Sequence, residues 1–153
     1  MKYLKQINLL FLIATLVFLL TTCKNGDQKI NTIDMIKART LGLAYLEENK
    51  LPEAEATFKQ LIEIAPEEAL GYTNLALVYS RLGDFEQSEK LFKQALDIDP
   101  ENPGIYMNYA ELLFITDRNE LAVEILEKSL EQNPDHIKTL YKLGHTYAQS
   151  NNK

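Results

Sequence analysis

An all-α stack of helix pairs is the fold class this sequence predicts, and three observations predict it. Pro66, Pro100 and Pro134 recur every 34 residues. Between them, large apolar and small residues repeat in one register without an insertion. Within each period the apolar residues fall twice at helical spacing, on either side of a turn-forming residue. Self-similarity at a fixed period of this size marks a repeat array, in which each unit buries its apolar face against its neighbours.

Taking each Pro as position 32 starts the units at Met35, Ala69 and Pro103, with a remainder from Ile137. Position 7 then holds Leu41, Leu75, Tyr109 and Leu143, and position 11 holds Tyr45, Tyr79, Leu113 and Tyr147. Position 8 is small (Gly42, Ala76, Ala110, Gly144), as is position 20 (Ala54, Ser88, Ala122), while position 24 is large (Phe58, Phe92, Leu126). In the first half of the second unit, Leu75, Val78, Tyr79 and Leu82 follow the i, i+3, i+4, i+7 pattern of an amphipathic helix. The two halves meet at position 15, which is Asn49, Gly83, Asp117 and Asn151, residue types that tolerate the left-handed conformation ending a helix. Asp84 is placed to cap the helix after the turn, and Pro52 stands where a first-turn proline belongs. The prolines at position 32 keep Ala65, Asp99 and Asn133 out of helical geometry and end the second helices. Small residues at 8 and 20 let the paired axes approach, and the large residues at 11 and 24 are expected to fill the space between stacked pairs.

In the second unit Tyr72, Leu75, Ala76, Tyr79, Gly83, Phe85, Ser88, Phe92, Ala95 and Pro100 follow one known pattern. The first unit matches it through Leu41, Gly42, Tyr45, Ala54, Phe58 and Pro66; the third is looser, with Leu113, Leu126 and Ser129. The pattern resembles the tetratricopeptide repeat (TPR), although Ala38, Tyr72, Tyr106 and Leu140 stand where that family has Trp. The resemblance implies a right-handed α-solenoid. It places repeats at 35–68, 69–102 and 103–136 and a terminal helix at 137–150, within a TPR domain of 32–153.

The 153-residue chain carries a net charge of −6, but unevenly. Met1 to Thr22 holds Lys2 and Lys5 and no acid, leaving 14 basic against 22 acidic residues beyond it, a net charge of −8. Such a body is repelled by phosphate backbones, which argues against nucleic acid as a partner. The two Lys precede the apolar run Leu9–Leu20, whose 12 residues fall short of the roughly 20 that cross a bilayer and fit a signal peptide. A retained N-terminal anchor helix is the alternative. Cys23, the sole Cys, follows Leu20-Thr21-Thr22. This resembles the bacterial lipoprotein box, departing from it at Thr22, where Gly, Ala or Ser is usual. The resemblance implies a signal peptide at 1–22, a lipid on Cys23 and a polar tether over 23–31. Two acyl chains give a stable membrane anchor. Lys24 stands where Asp would retain a lipoprotein at the inner membrane, so the outer membrane is favoured. An unmodified Cys beside an ordinary cleavage site is the bland alternative.

TPR domains line a concave groove with their first helices, and the resemblance places Arg39, Leu43, Leu46, Thr73, Asn74 and Leu77 on that wall. Met107, Asn108, Glu111, Lys138, Tyr141, Lys142 and His145 continue it. Leu43, Leu77, Met107 and Tyr141 would form an apolar stripe. Asn74 and Asn108 share position 6, where peptide-holding TPR proteins use Asn; an amide offers a donor and an acceptor to a peptide bond. Asn108, Lys138 and Lys142 resemble three of the five residues of the carboxylate clamp in chaperone-binding TPR domains, but Thr73 and Leu77 occupy the other two places. Intramolecular packing and polar contacts are the alternative reading of all these residues.

No HExxH, GxSxG, phosphate-binding glycine loop or Cys pair occurs, and His136 and His145 have no metal-spaced partner. No catalysis, metal or cofactor is expected. The expected function is that of a lipid-anchored adaptor of a bacterial envelope, binding a protein or an extended peptide. A self-assembling structural subunit and a glycan-binding envelope protein are the alternatives. The terminal helix serves either reading, as a solvating cap through Lys138, Lys142 and Gln149 or as a docking surface for a second copy.

Overall fold

The structure, a computed structural model, describes residues 32–150, so the signal peptide, Cys23, the tether and Asn151 lie outside the described residues. Contacts divide the chain into Met1–Lys37 and Ala38–Lys153. Of the first unit, residues 32–37 are described and are helical. The second holds the repeats. The helices are α1 (32–47), α2 (Leu51–Ile64), α3 (Ala69–Leu82), α4 (Phe85–Ile98), α5 (Pro103–Ile115), α6 (Asn119–Gln132) and α7 (Ile137–Ser150). Regular structure among the described residues is helical throughout, and none of these helices is long and apolar enough to cross a membrane.

The turns form for the reason the repeat gave. Asn49, Gly83 and Asp117 take left-handed φ angles of 57°, 82° and 58°. That twist brings the next N–H back onto the carbonyl of position 11: Lys50 to Tyr45 at 2.8 Å, Asp84 to Tyr79 at 2.9 Å and Arg118 to Leu113 at 2.8 Å. Each bond satisfies a carbonyl orphaned at the helix end. Asp84 caps α4 by accepting from the Gln87 N–H at 3.2 Å, and Pro52 lies in the first turn of α2. At the far ends Ala65, Asp99 and Asn133 leave helical geometry, with ψ angles of 71°, 78° and 77° ahead of their prolines.

Close approach within a pair is visible at both small positions. The Ser88 hydroxyl on α4 donates to the Ala76 carbonyl of α3 at 2.8 Å, and neither residue is exposed to solvent. At Gly42 an added Cβ would lie 2.6 Å from Phe58 Cε1. Phe58 therefore fills the inside of its own pair, where the expectation placed position 24 between stacked pairs. Phe92 does reach across, stacking on Tyr109 of the next unit at 5.8 Å between centroids. The core is thus a row of fully buried residues, Phe58, Phe92, Leu113 and Leu126 among them, strung along the stack.

Polar bridges tie successive units. The hydroxyls of Tyr79, Tyr109 and Tyr147 donate to Glu55 at 3.0 Å, Glu89 at 3.0 Å and Glu127 at 2.6 Å. Glu89 also accepts from Arg118 and pairs with Lys93. Arg118 above all, then Lys93 and Tyr109, hold its carboxyl at about 2 against the opposing cost of burial. Burial first, then the hydrogen bond to Glu89 and its charge, push the Tyr109 phenol upward.

The first helices pack side by side, α3 on α5 and α5 on α7, whereas the backbones of α2, α4 and α6 do not approach one another closely. The first helices therefore form the inner wall. The final helix, α7, buries Thr139 and Thr146 but leaves Ile137, Leu140, Tyr141 and Tyr147 exposed, from 44% to 79%. A Cβ at Gly144 would meet nothing within 4 Å. The face that α1 at Gly42 gives to its partner helix is open on α7, so this end is more apolar than a purely solvating cap.

Candidate functional site

On the inner wall, the N-terminal turns of α3 and α5 line a cleft of about 390 Å³. Leu70, Thr73 and Asn74 come from α3, and Ile105 and Asn108 from α5. Three residues read from the sequence, Thr73, Asn74 and Asn108, are thus brought together. Glu68, Asp99 and Asn102 also line it. They were not anticipated because they sit in the connections between units, where the groove positions of the repeat do not reach. The available signal was that Glu68 and Asn102 each immediately precede a first helix.

Local chemistry fixes these groups. The Asn102 Oδ1 caps α5 by accepting from the Gly104 N–H at 3.0 Å, and its Nδ2 donates to Asp99 Oδ2 at 2.9 Å. Buried Tyr106 pins the same connection, its hydroxyl donating to the Pro100 carbonyl at 2.9 Å. Thr73 spends its hydroxyl on the Ala69 carbonyl at 2.8 Å. Asn74 donates one Nδ2 hydrogen to the Leu70 carbonyl at 2.9 Å, which leaves its Oδ1 and second N–H for other partners. Arg39 forms an ion pair with Glu68. The pair is one-sided, since Arg39 Nε and Glu68 Oε2 are buried without partners.

The remaining groove residues are distributed differently from the expectation. Leu46 is 5% exposed and belongs to the core, not the wall. Leu43, Leu77 and Met107 are half-buried on the first helices, and Tyr141 stands out at 76% exposure, stacked on His145 at 6.5 Å. The apolar stripe is therefore uneven. Lys142 pairs with Glu111 and lies 5.3 Å above the Phe114 ring. Of the three residues that resemble a carboxylate clamp, Lys142 is thus engaged by Glu111, Lys138 is exposed and Asn108 lines the cleft. No group of His, Cys, Asp or Glu among the described residues could hold a metal.

Two family models, described as Tetratricopeptide repeat and TPR repeat, match residues 79–143 and 42–83. The chain carries tetratricopeptide repeats. No curated protein matches it. Among solved structures, the TPR2B domain of yeast Sti1 in its pHsp70 complex is similar with a TM-score of 0.69 and 23% identity, over 77% of this chain and 98% of that one. Pseudomonas aeruginosa pilF gives a TM-score of 0.71 and 23% identity, over 79% of this TPR chain but 55% of pilF. The second TPR domain of human RPAP3, in complex with the HSP70 peptide SGPTIEEVD, gives 0.66 and 19%, over 76% and 98%. At these identities the likeness is one of fold.

Proposed function

We propose that this TPR protein is a non-catalytic adaptor that holds a partner protein, as an extended segment, in the groove formed by its first helices. The observation that carries the reading is the cleft between α3 and α5, which gathers Thr73, Asn74 and Asn108 on one wall. A fold is not a function, but an open cleft edged with amides suits a peptide backbone, which needs a donor and an acceptor at each step. Two of the similar TPR domains are complexes with Hsp70 or its peptide. The test is crosslinked capture from the native envelope. Capture that persists undiminished in the Asn74→Ala/Asn108→Ala double variant would refute the groove as the binding surface.

Export and lipid attachment at Cys23, with residence at the outer membrane of a bacterial envelope, complete the proposal. The basic start, the 12-residue apolar run and the Leu-Thr-Thr-Cys box support it. Cys23→Ser should release the protein from the membrane fraction; continued partition there would sink the anchor. A second reading, self-association through the terminal helix, is favoured by the open face around Gly144. Light scattering tests it, since a monomer at high concentration excludes it.

A further inference from the structure

We propose that the cleft between α3 and α5 selects a cationic side chain, a Lys or Arg on the bound segment, in place of the acidic tail held by the similar RPAP3 domain. The inference rests on the groove reading above and names the chemistry of its occupant. Glu68 and Asp99 both line the cleft, and among the described residues no Lys, Arg or His lines it. Arg39 lies on α1 and offsets part of the Glu68 charge. Among the described residues the Asp99 carboxylate is met by the neutral amide of Asn102, which orients it without neutralising it.

Two features oppose this polarity and are weaker. The N-termini of α3 and α5 open toward the cleft, each equivalent to about half a positive charge. One leading N–H of each is engaged inside the chain, Gly104 with Asn102 Oδ1 and Gly71 with the Glu68 carbonyl, although α3 has no side-chain cap. Farther along the wall, Lys142 is bound to Glu111. The rest of the molecule reinforces the choice, because the chain beyond Thr22 has a net charge of −8 and draws cationic partners toward it. Asn74 and Asn108 would then hold the backbone while Asp99 and Glu68 receive the cation.

Panning a random heptapeptide display library on the full chain in detergent tests this. The recovered pool should be enriched in Lys or Arg. A recovered peptide, labelled for fluorescence anisotropy, should bind about fivefold more weakly to Asp99→Asn, a loss expected of a partly exposed ion pair. Asn preserves the bond to Asn102 and the shape of the connection. The acidic peptide SGPTIEEVD should bind more weakly than the recovered one. Recovery of neutral or acidic peptides, or indifference to Asp99→Asn, overturns the charge preference and leaves the groove reading standing. Recovery no greater on the wild type than on Asn74→Ala/Asn108→Ala overturns both.

Discussion

Two glycines at the same position of the repeat should respond oppositely to the same substitution. In Gly42→Ala the new methyl would sit 2.6 Å from Phe58 Cε1, 2.9 Å from Cζ and 3.0 Å from Cδ1. The Phe58 ring is fully buried, so relief requires moving a packed ring by about 1 Å into neighbours with no spare volume. Overpacking of this kind costs about 1–3 kcal/mol, against about 0.8–1 kcal/mol gained from the better helix propensity of Ala. The expected net loss is about 1 kcal/mol, a fall of about 4 °C in Tm for a domain of this size. In Gly144→Ala nothing lies within 4 Å of the added carbon, so only the propensity gain remains and stability should rise by up to about 1 kcal/mol. Thermal and urea unfolding followed by far-UV circular dichroism would read both. Equal stability of the two variants, or a gain in Gly42→Ala, would refute the claim that the intra-pair contact at position 8 is closed at one end of the stack and open at the other.

Glu89 should make stability depend on acid. Its carboxyl is lowered from the ordinary 4.5 to about 2, chiefly by Arg118. The contribution is therefore full above about pH 4.5 and drains away as pH falls toward about 2. With Arg118 and Lys93 both well exposed, it amounts to about 1–2 kcal/mol. Glu89→Gln should flatten the pH dependence of urea midpoints across that window; an unchanged slope would contradict the assignment. Tyr109→Phe removes one donor to the same carboxylate and should cost about 1 kcal/mol by chemical unfolding. The Glu111 partner of Lys142 is 53% exposed, so Glu111→Ala should change stability by less than about 1 kcal/mol in the same measurement.

These responses separate what a periodic sequence states from what it omits. The helix ends were legible because each is set by a neighbour in sequence: Gly83 supplies a left-handed φ, and Pro100 excludes helical geometry at Asp99. Residue spacing also located the close approach of Ser88 and Ala76, since both small positions recur in register. The site was only half legible. Thr73, Asn74 and Asn108 follow from the repeat, but the carboxylates that set the cleft's charge lie between units, where composition varies freely. Pairings such as Arg39 with Glu68 and Lys142 with Glu111 join residues about thirty positions apart and depend on where long side chains come to rest. Periodicity constrains backbone placement and apolar burial, which are shared by every unit. Charge at the groove is a property of single residues, so a family with one architecture can present opposite polarities to its partners, and the sign at Asp99 must be measured against a ligand.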